Sequence, residues 1–232
     1  MTAELSEDDV TVEQVAKMID HSLLRPELTP LEVREGCELA ARYEVASVCV
    51  KPADVALATA ALAGTGVLVG TVVAFPHGGS STRVKCVEAS VAIEEGGREL
   101  DMVLNIGWLR QDRLDDVADD IAQVVSTAAG AAIVKVVLEN AYLTDEQKVR
   151  GCQVAESAGA DFVKTSTGFA PGGATMGDVA LMRASVSPRV GIKAAGGVRT
   201  LDVLLAMASV GVTRFGATAT AAIIDDLRQR RG

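Results

Sequence analysis

Short apolar runs alternate with longer amphipathic stretches along the whole chain. The apolar runs are rich in β-branched residues and end at polar or glycine-rich positions, as buried strands do. The stretches between them carry helix start signals, such as Thr29-Pro30 and Thr144. We predict strands over residues 18–22, 45–50, 67–75, 100–106, 133–139, 161–166, 190–195 and 213–217, and an extra N-terminal helix over 11–18.

This order of elements predicts an α/β fold, a single (β/α)₈ (TIM) barrel domain over residues 1–232. Eight successive βα units favour a closed barrel over an open doubly wound sheet. An open sheet that binds a nucleotide usually has a glycine-rich, phosphate-binding turn directly after a strand. Neither common sequence form of that turn is present.

The composition of the chain argues against several classes of function. The formal net charge is -9, and no basic run suggests a nucleic-acid partner. The acidic start lacks an apolar leader and no long apolar run follows, so we expect a cytoplasmic protein without a membrane partner. The 4 cysteines form no Cys-x-x-Cys pair and there are only 2 histidines, so we expect no metal site.

Polar residues cluster where the predicted strands end, which is where (β/α)₈ barrels carry their reacting groups. They are Asp20, Cys49, Asp101, Asn105, Glu139, Lys164 and Lys193. Strand alternation predicts that Asp101 and Asn105 share a face, and that Lys193 lies between small neighbours that leave room for a ligand.

The two lysines suggest amine chemistry. Neighbouring strands lie about 4.8 Å apart, so the ammonium groups of Lys164 and Lys193 can repel one another, and one then loses its proton more easily. A neutral amine attacks a carbonyl, Asp101 can move protons, and Lys193 can stay cationic. The alternative is that each lysine only forms an ion pair with a carboxylate such as Asp101 or Glu139. Lys135 is a candidate for such a structural pair.

Glycine-rich segments follow the last strands and suggest a phosphate site. Glycine lets the backbone approach an anion closely, and a helix N-terminus directs N–H groups at it. In (β/α)₈ barrels a phosphate often lies in the loops after strands seven and eight. The candidates are Gly168, Gly196, Gly197, Gly216 and Thr218.

Eight segments, taken together, resemble one family. They are IDHSLLRPELT, ASVCVKP, TVVAFPHG, ELDMVLNIG, IVKVVLE, ADFVKTSTGF, GIKAAGGVRT and RFGA, and they span nearly the whole chain. In order and spacing the sequence resembles the 2-deoxyribose-5-phosphate aldolases, which are class I aldolases.

The resemblance implies a barrel enzyme that reversibly cleaves 2-deoxy-D-ribose 5-phosphate to D-glyceraldehyde 3-phosphate and acetaldehyde, without metal or other cofactor. It implies that Lys164 forms the imine, that Lys193 perturbs it, and that Asp101 is the acid–base carboxylate. Asp20, Cys49, Thr167 and the glycine loops correspond to substrate-binding positions. The partners implied are a sugar phosphate, an aldehyde and further copies of the chain, as a dimer or tetramer.

The chain also departs from the family pattern. Asn140 follows Glu139 where a threonine is common, Thr218 and Ala219 replace paired serines, and the tail lacks a tyrosine. Two alternatives remain at this point. One is another Schiff-base phosphosugar aldolase or a transaldolase, and the other is a barrel that binds a sugar phosphate without catalysis.

Overall fold

A closed parallel barrel forms the centre of the molecule in the computed structural model, which describes residues 5–231. In that range eight strands pair in chain order and the last closes on the first. The strands are β1 (Ile19–Leu23), β2 (Ser47–Val50), β3 (Leu68–Val73), β4 (Glu99–Val103), β5 (Ile133–Val137), β6 (Phe162–Lys164), β7 (Gly191–Ala195) and β8 (Arg214–Ala217). The predicted (β/α)₈ fold is confirmed.

Helices follow every strand and cover the outside of the barrel. The helices are α1 (Val12–Ala16), α2 (Pro30–Arg42), α3 (Val55–Ala61), α4 (Thr82–Glu94), α5 (Ile106–Arg110), α6 (Leu114–Ala128), α7 (Asp145–Ser157), α8 (Met176–Ser185), α9 (Leu201–Ser209) and α10 (Thr220–Arg231). The short α1 is the predicted N-terminal helix. Within residues 5–231 no helix combines the length and the apolar character that crossing a bilayer requires.

Local sequence explains the helix starts. Thr29 and Thr144 are N-caps whose hydroxyls accept from Glu32 and Gln147 backbone N–H groups, and the side chains of these residues return a bond to the cap. This reciprocal arrangement satisfies donors that a helix start otherwise leaves unpaired. The cap residues therefore fix where the long helices leave the barrel loops.

Three strands end earlier than their apolar runs predict. Residue Ala74 stops β3 by adopting a left-handed backbone with φ 54°, and Glu139 does the same after β5 with φ 58°. Asn105 does not continue β4, because its side chain caps α5 by accepting from the Trp108 N–H. The prediction that Asn105 shares a strand face with Asp101 is therefore wrong.

Two different layers of side chains pack on the strands. Outward-facing residues such as Leu100, Met102 and Ile192 are fully buried against the helices and form the apolar core. The inward faces of six of the eight strands carry charged side chains instead of the branched apolar residues usual in such barrels. The barrel interior, rather than the helix layer, is thus the unusual part of this molecule.

Candidate active site

Seven charged side chains meet inside the barrel, and they come from six of the eight strands. Each is bonded to at least one oppositely charged member, which is what burial of ions requires. They are Asp20 on β1, Glu99 and Asp101 on β4, Lys135 on β5, Lys164 on β6, Lys193 on β7 and Arg214 on β8. We refer to these seven residues as the charged cluster.

The upper part of the cluster joins both predicted lysines to one carboxylate oxygen. The Nζ atoms of Lys164 and Lys193 each lie 2.6 Å from Oδ2 of Asp101. The two lysines are directly paired in the β6–β7 register, so their side chains leave the sheet side by side. The structure therefore brings together the three residues for which the sequence predicted a catalytic role.

The lower part of the cluster anchors these groups. Nζ of Lys135 lies 2.8 Å from Asp20 Oδ2, 2.5 Å from Glu99 Oε2 and 3.6 Å from Asp101 Oδ1. Arg214 binds Asp20 and Glu99 from below. Asp20 in turn lies 2.5 Å from the Lys193 Nζ. Asp20 therefore holds Lys193 in place as well as lining the cleft above it.

Neighbouring charges determine the ionisation state of two members of the charged cluster, Asp101 and Lys193. Burial alone would raise the pKa of Asp101, but Lys164, Lys193 and Lys135 outweigh it and hold that pKa well below its ordinary value. Burial opposes a charge on Lys193, yet Asp101 and Asp20 outweigh that effect and raise the Lys193 pKa. Asp101 is thus a carboxylate and Lys193 a cation at neutral pH.

A cleft of about 480 Å³ opens above the cluster at the C-terminal ends of the strands. Lys164 and Lys193 reach it from below, together with Asp20 and Cys49. Burial raises the pKa of the Cys49 thiol to about 11, so this side chain is neutral. Asp101 does not line the cleft, and its carboxylate meets the cleft only through the lysines.

Glycine loops form one wall of the same cleft. The predicted residues Gly168, Gly196, Gly197, Gly216 and Thr218 all line it, as do Arg25 and Arg199 at its exposed mouth. A side chain at residue 216 would meet Ala195 Cβ at 3.1 Å and Lys193 Cε at 3.7 Å, so glycine leaves this lysine its space. The N-terminus of α10 follows Thr218 closely. Ala219 packs partly against the apolar core and does not line the cleft.

Thr167 lies at the cleft, but its hydroxyl is already bonded. It donates to Glu139 and accepts from the Phe169 N–H at 3.1 Å, while the Thr167 N–H donates to Glu139 at 3.2 Å. Burial raises the pKa of the Glu139 carboxyl, against these bonds. Glu139 therefore shapes the loop after β6 rather than the floor of the cleft.

Two members of the cluster were missed by the sequence reasoning. Glu99 is the first residue of β4 and shares the inward face with Asp101, two residues later, but the strand was predicted to begin at residue 100. Arg214 likewise precedes Gly216 by two positions on β8. The period-two spacing was the available signal for both. Residues 5–231 contain no group of three His, Cys, Asp or Glu side chains that could hold a metal ion.

Comparison with known proteins places this chain in a family. Residues 14–223 match the DeoC/LacD family aldolases. The chain belongs to this family. It is 49% identical over 212 residues to the deoxyribose-phosphate aldolase of Lysinibacillus sphaericus, covering 91% of this chain and 95% of that protein. It is 50% identical over 210 residues to the same enzyme of Macrococcus caseolyticus, covering 90% and 95%.

A solved structure agrees with this assignment. The tetrameric deoxyribose phosphate aldolase of Aeropyrum pernix superimposes with a TM-score of 0.88 at 27% identity, over 95% of this chain and 93% of that one. Membership of the DeoC/LacD family makes this chain an aldolase, an enzyme of the carbon–carbon lyase class.

Proposed function

We propose that this aldolase cleaves 2-deoxy-D-ribose 5-phosphate to D-glyceraldehyde 3-phosphate and acetaldehyde through an imine on Lys164. The observation that carries the proposal is the shared contact of Lys164 and Lys193 with one Asp101 oxygen, at 2.6 Å each, below an open cleft. A nucleophile and a second cation then face the substrate, and the proton-transfer group Asp101 lies directly behind both.

Lys164 is the better nucleophile of the two cleft lysines because fewer anions hold it. Among residues 5–231 it forms an ion pair with Asp101 alone, whereas Lys193 lies within 2.6 Å of both Asp101 and Asp20. Lys193 remains a cation between two carboxylates, and its charge favours the neutral form of the neighbouring amine. Lys164 therefore attacks and Lys193 acts through its charge.

The reaction follows from these roles. The Lys164 amine adds to C1 of the open-chain sugar, and loss of water leaves an iminium ion. A base removes the proton of the C3 hydroxyl, the C2–C3 bond breaks, and its electron pair enters the iminium to give an enamine. Glyceraldehyde 3-phosphate leaves. Protonation of the enamine at C2 and hydrolysis release acetaldehyde and free Lys164, and Asp101 relays these protons.

The direct test is a product assay that also examines metal dependence. We expect deoxyribose 5-phosphate to give equal amounts of acetaldehyde and glyceraldehyde 3-phosphate, with the same rate before and after exhaustive EDTA treatment, because the iminium is the electron sink. Loss of activity with EDTA and its return with a divalent cation would contradict this proposal. Formation of other carbonyl products would indicate that this aldolase cleaves a different substrate.

We place the phosphate of the substrate on the glycine loops. Backbone N–H groups near the start of α10 and the glycines after β6 and β7 offer donors, and Arg199 adds a positive charge at the mouth. The hydroxyl of Thr218 lies in the same wall. The phosphate then lies at one side of the cleft while C1 reaches Lys164.

Replacing Thr218 by valine tests this placement. We expect KM for deoxyribose 5-phosphate to rise about tenfold, since one bond to a charged group is worth roughly 1.5 kcal/mol, while KM for unphosphorylated deoxyribose does not change. Thr213→Val, in an exposed residue just before β8, is the matched control. Equal losses for both sugars would show that Thr218 does not contact phosphate.

We also propose that the chain forms a homo-oligomer through α4. Three valines spaced along one face of this helix, Val84, Val87 and Val91, are each about half exposed, at 46%, 56% and 46%, and line a groove of about 550 Å³. Contiguous exposed apolar groups mark interaction sites. Arg83 lies at the N-terminal end of α4 and Glu94 at its C-terminal end, so an antiparallel second copy would pair opposite charges.

The valine face has a simple test. We expect Val87→Glu to lower the mass measured by sedimentation to that of a single chain, because a buried unpaired carboxylate opposes association. Val203→Glu, on the exposed side of α9, should leave the mass unchanged. An unchanged mass for Val87→Glu would place the contact elsewhere.

The thiols suit the compartment that we propose. Cys37, Cys49, Cys86 and Cys152 are free. Free thiols are usual in the reducing cytoplasm, where we place this enzyme. The substrate and products are small molecules, so the cleft needs no macromolecular partner.

A further inference from the structure

The charged cluster holds unequal numbers of positive and negative groups. Its cations are Lys135, Lys164, Lys193 and Arg214, and its anions are Asp20, Glu99 and Asp101. With every member ionised, one positive charge is left over. Six of the seven side chains are at most 3% exposed and Arg214 is 13% exposed, so solvent counterions do not offset the surplus.

Two other titratable groups lie close to Lys164 outside the cluster. Cys49, on β2, is a neutral thiol because burial raises its pKa to about 11. Glu139, after β5, bonds to Thr167, and the charge of Lys164 acts on its carboxyl, but within residues 5–231 it forms no ion pair. Within the part of the chain that the structure describes, the direct ion pair of Lys164 therefore lies inside the cluster.

The four cations of the cluster differ in how many carboxylates each one contacts. Lys135 lies within 3.6 Å of three carboxylates, and Lys193 and Arg214 each contact two. Lys164 contacts one, and it shares that oxygen with Lys193. A neutral Lys164 leaves three cations with three anions, and every remaining charge keeps its partners.

We propose that Lys135 and Glu99, which lie beneath the cleft and do not line it, are positioning residues that control how much of Lys164 is free amine. This inference rests on the imine proposed above. Lys135 contributes one of the four positive charges of the cluster, and without it positive and negative charges would be equal in number. Glu99 contributes one of the three negative charges, and without it the positive surplus would be larger. Neither residue touches the substrate, so both act through the charge that reaches Lys164 by way of Asp101 and Asp20.

The proposal predicts opposite effects for removing the two charges. Lys135→Met leaves three cations and three anions, so Lys164 keeps its proton and the ascending limb of kcat/KM moves to higher pH. Glu99→Gln enlarges the surplus, so the same limb moves to lower pH. A charge at close range shifts an ionisation by about 1 unit or more, which is about a tenfold change in rate at a pH below the limb.

The double variant Lys135→Met with Glu99→Gln restores a surplus of one and should return the limb close to its position in the parent. This variant removes both partners of one buried ion pair, so the charge of the cluster is conserved, and it keeps the test open if a single variant does not fold. A purely structural role would lower the melting temperature and activity without displacing the limb in opposite directions.

Lys85 and Asp120 provide a matched control outside the cluster. They form a fully buried ion pair at 2.5 Å between α4 and α6, and Lys85 also donates to the Val103 carbonyl oxygen at 3.0 Å. Lys85→Met and Asp120→Asn should lower the melting temperature and leave the limb where it is. These two variants measure the loss of stability that results from breaking a buried ion pair alone.

The experiment is a set of kcat/KM profiles against pH for deoxyribose 5-phosphate cleavage, with borohydride trapping on the parent enzyme. Opposite displacements in the single variants and a restored limb in the double variant support the proposal. Displacement in one direction only, or none, overturns it. Absence of a trapped adduct on Lys164 in the parent would instead contradict the imine itself, so the two failures are distinguishable.

Discussion

Replacing Lys164 by arginine is expected to lower kcat/KM at least about 10⁴-fold, the scale on which loss of a covalent nucleophile acts. The guanidinium stays charged and keeps an ion pair with Asp101, but it cannot add to a carbonyl. Borohydride with substrate should leave a reduced adduct on Lys164 of the parent enzyme, found by peptide mass spectrometry, and none on the variant.

The control for this substitution is Lys148→Arg, in a lysine that pairs with Asp145 and Asp178 on the outer helices. It should keep the parent rate. Substantial activity in the Lys164 variant, or an adduct on Lys193 of the parent, would assign the nucleophile to another group. Ligand binding without any adduct would favour a barrel that only binds sugar phosphates.

Replacing Asp101 by asparagine is expected to reduce kcat about 10²- to 10⁴-fold, the usual contribution of one acid–base group. Asparagine has nearly the same shape, but it cannot accept and return protons between Lys164, Lys193 and the substrate. Because removing this anion increases the positive surplus, Lys164 should still form an adduct when borohydride is added after a long incubation.

Asp120→Asn is the matched control for Asp101→Asn, since Asp120 is also buried on a lysine, 2.5 Å from Lys85. It should reduce thermal stability while kcat changes little. A higher KM with an intact kcat in the Asp101 variant would indicate that Asp101 only shapes the cleft.

The apolar runs predicted the barrel because each strand is short, buried and followed by a helix with its own start signal. The runs could not show where a strand ends. At Ala74 and Glu139 a left-handed backbone ends the strand, although neither residue type favours that conformation. At Asn105 the side chain that looked like a strand-end polar group satisfies the first turn of α5.

The candidate site was predictable where strand position and chemistry coincide. Lys164 ends β6 and is paired in register with Lys193, so two lysines on consecutive strands had to meet. Glu99 was missed for a geometric reason, since a strand predicted to begin one residue too late leaves out its first inward side chain. The sharing of one Asp101 oxygen by both lysines depends on side-chain conformations that no sequence pattern specifies.

The order of the charged cluster along the chain has a consequence for assembly. All its carboxylates lie on β1 and β4, in the first half of the barrel, and all its cations lie on β5 to β8, in the second half. Neither half alone could bury its like charges, whereas each complements the other. Two fragments divided between β4 and β5 would therefore attract one another and repel their own copies, so that closure of the barrel is electrostatically selective.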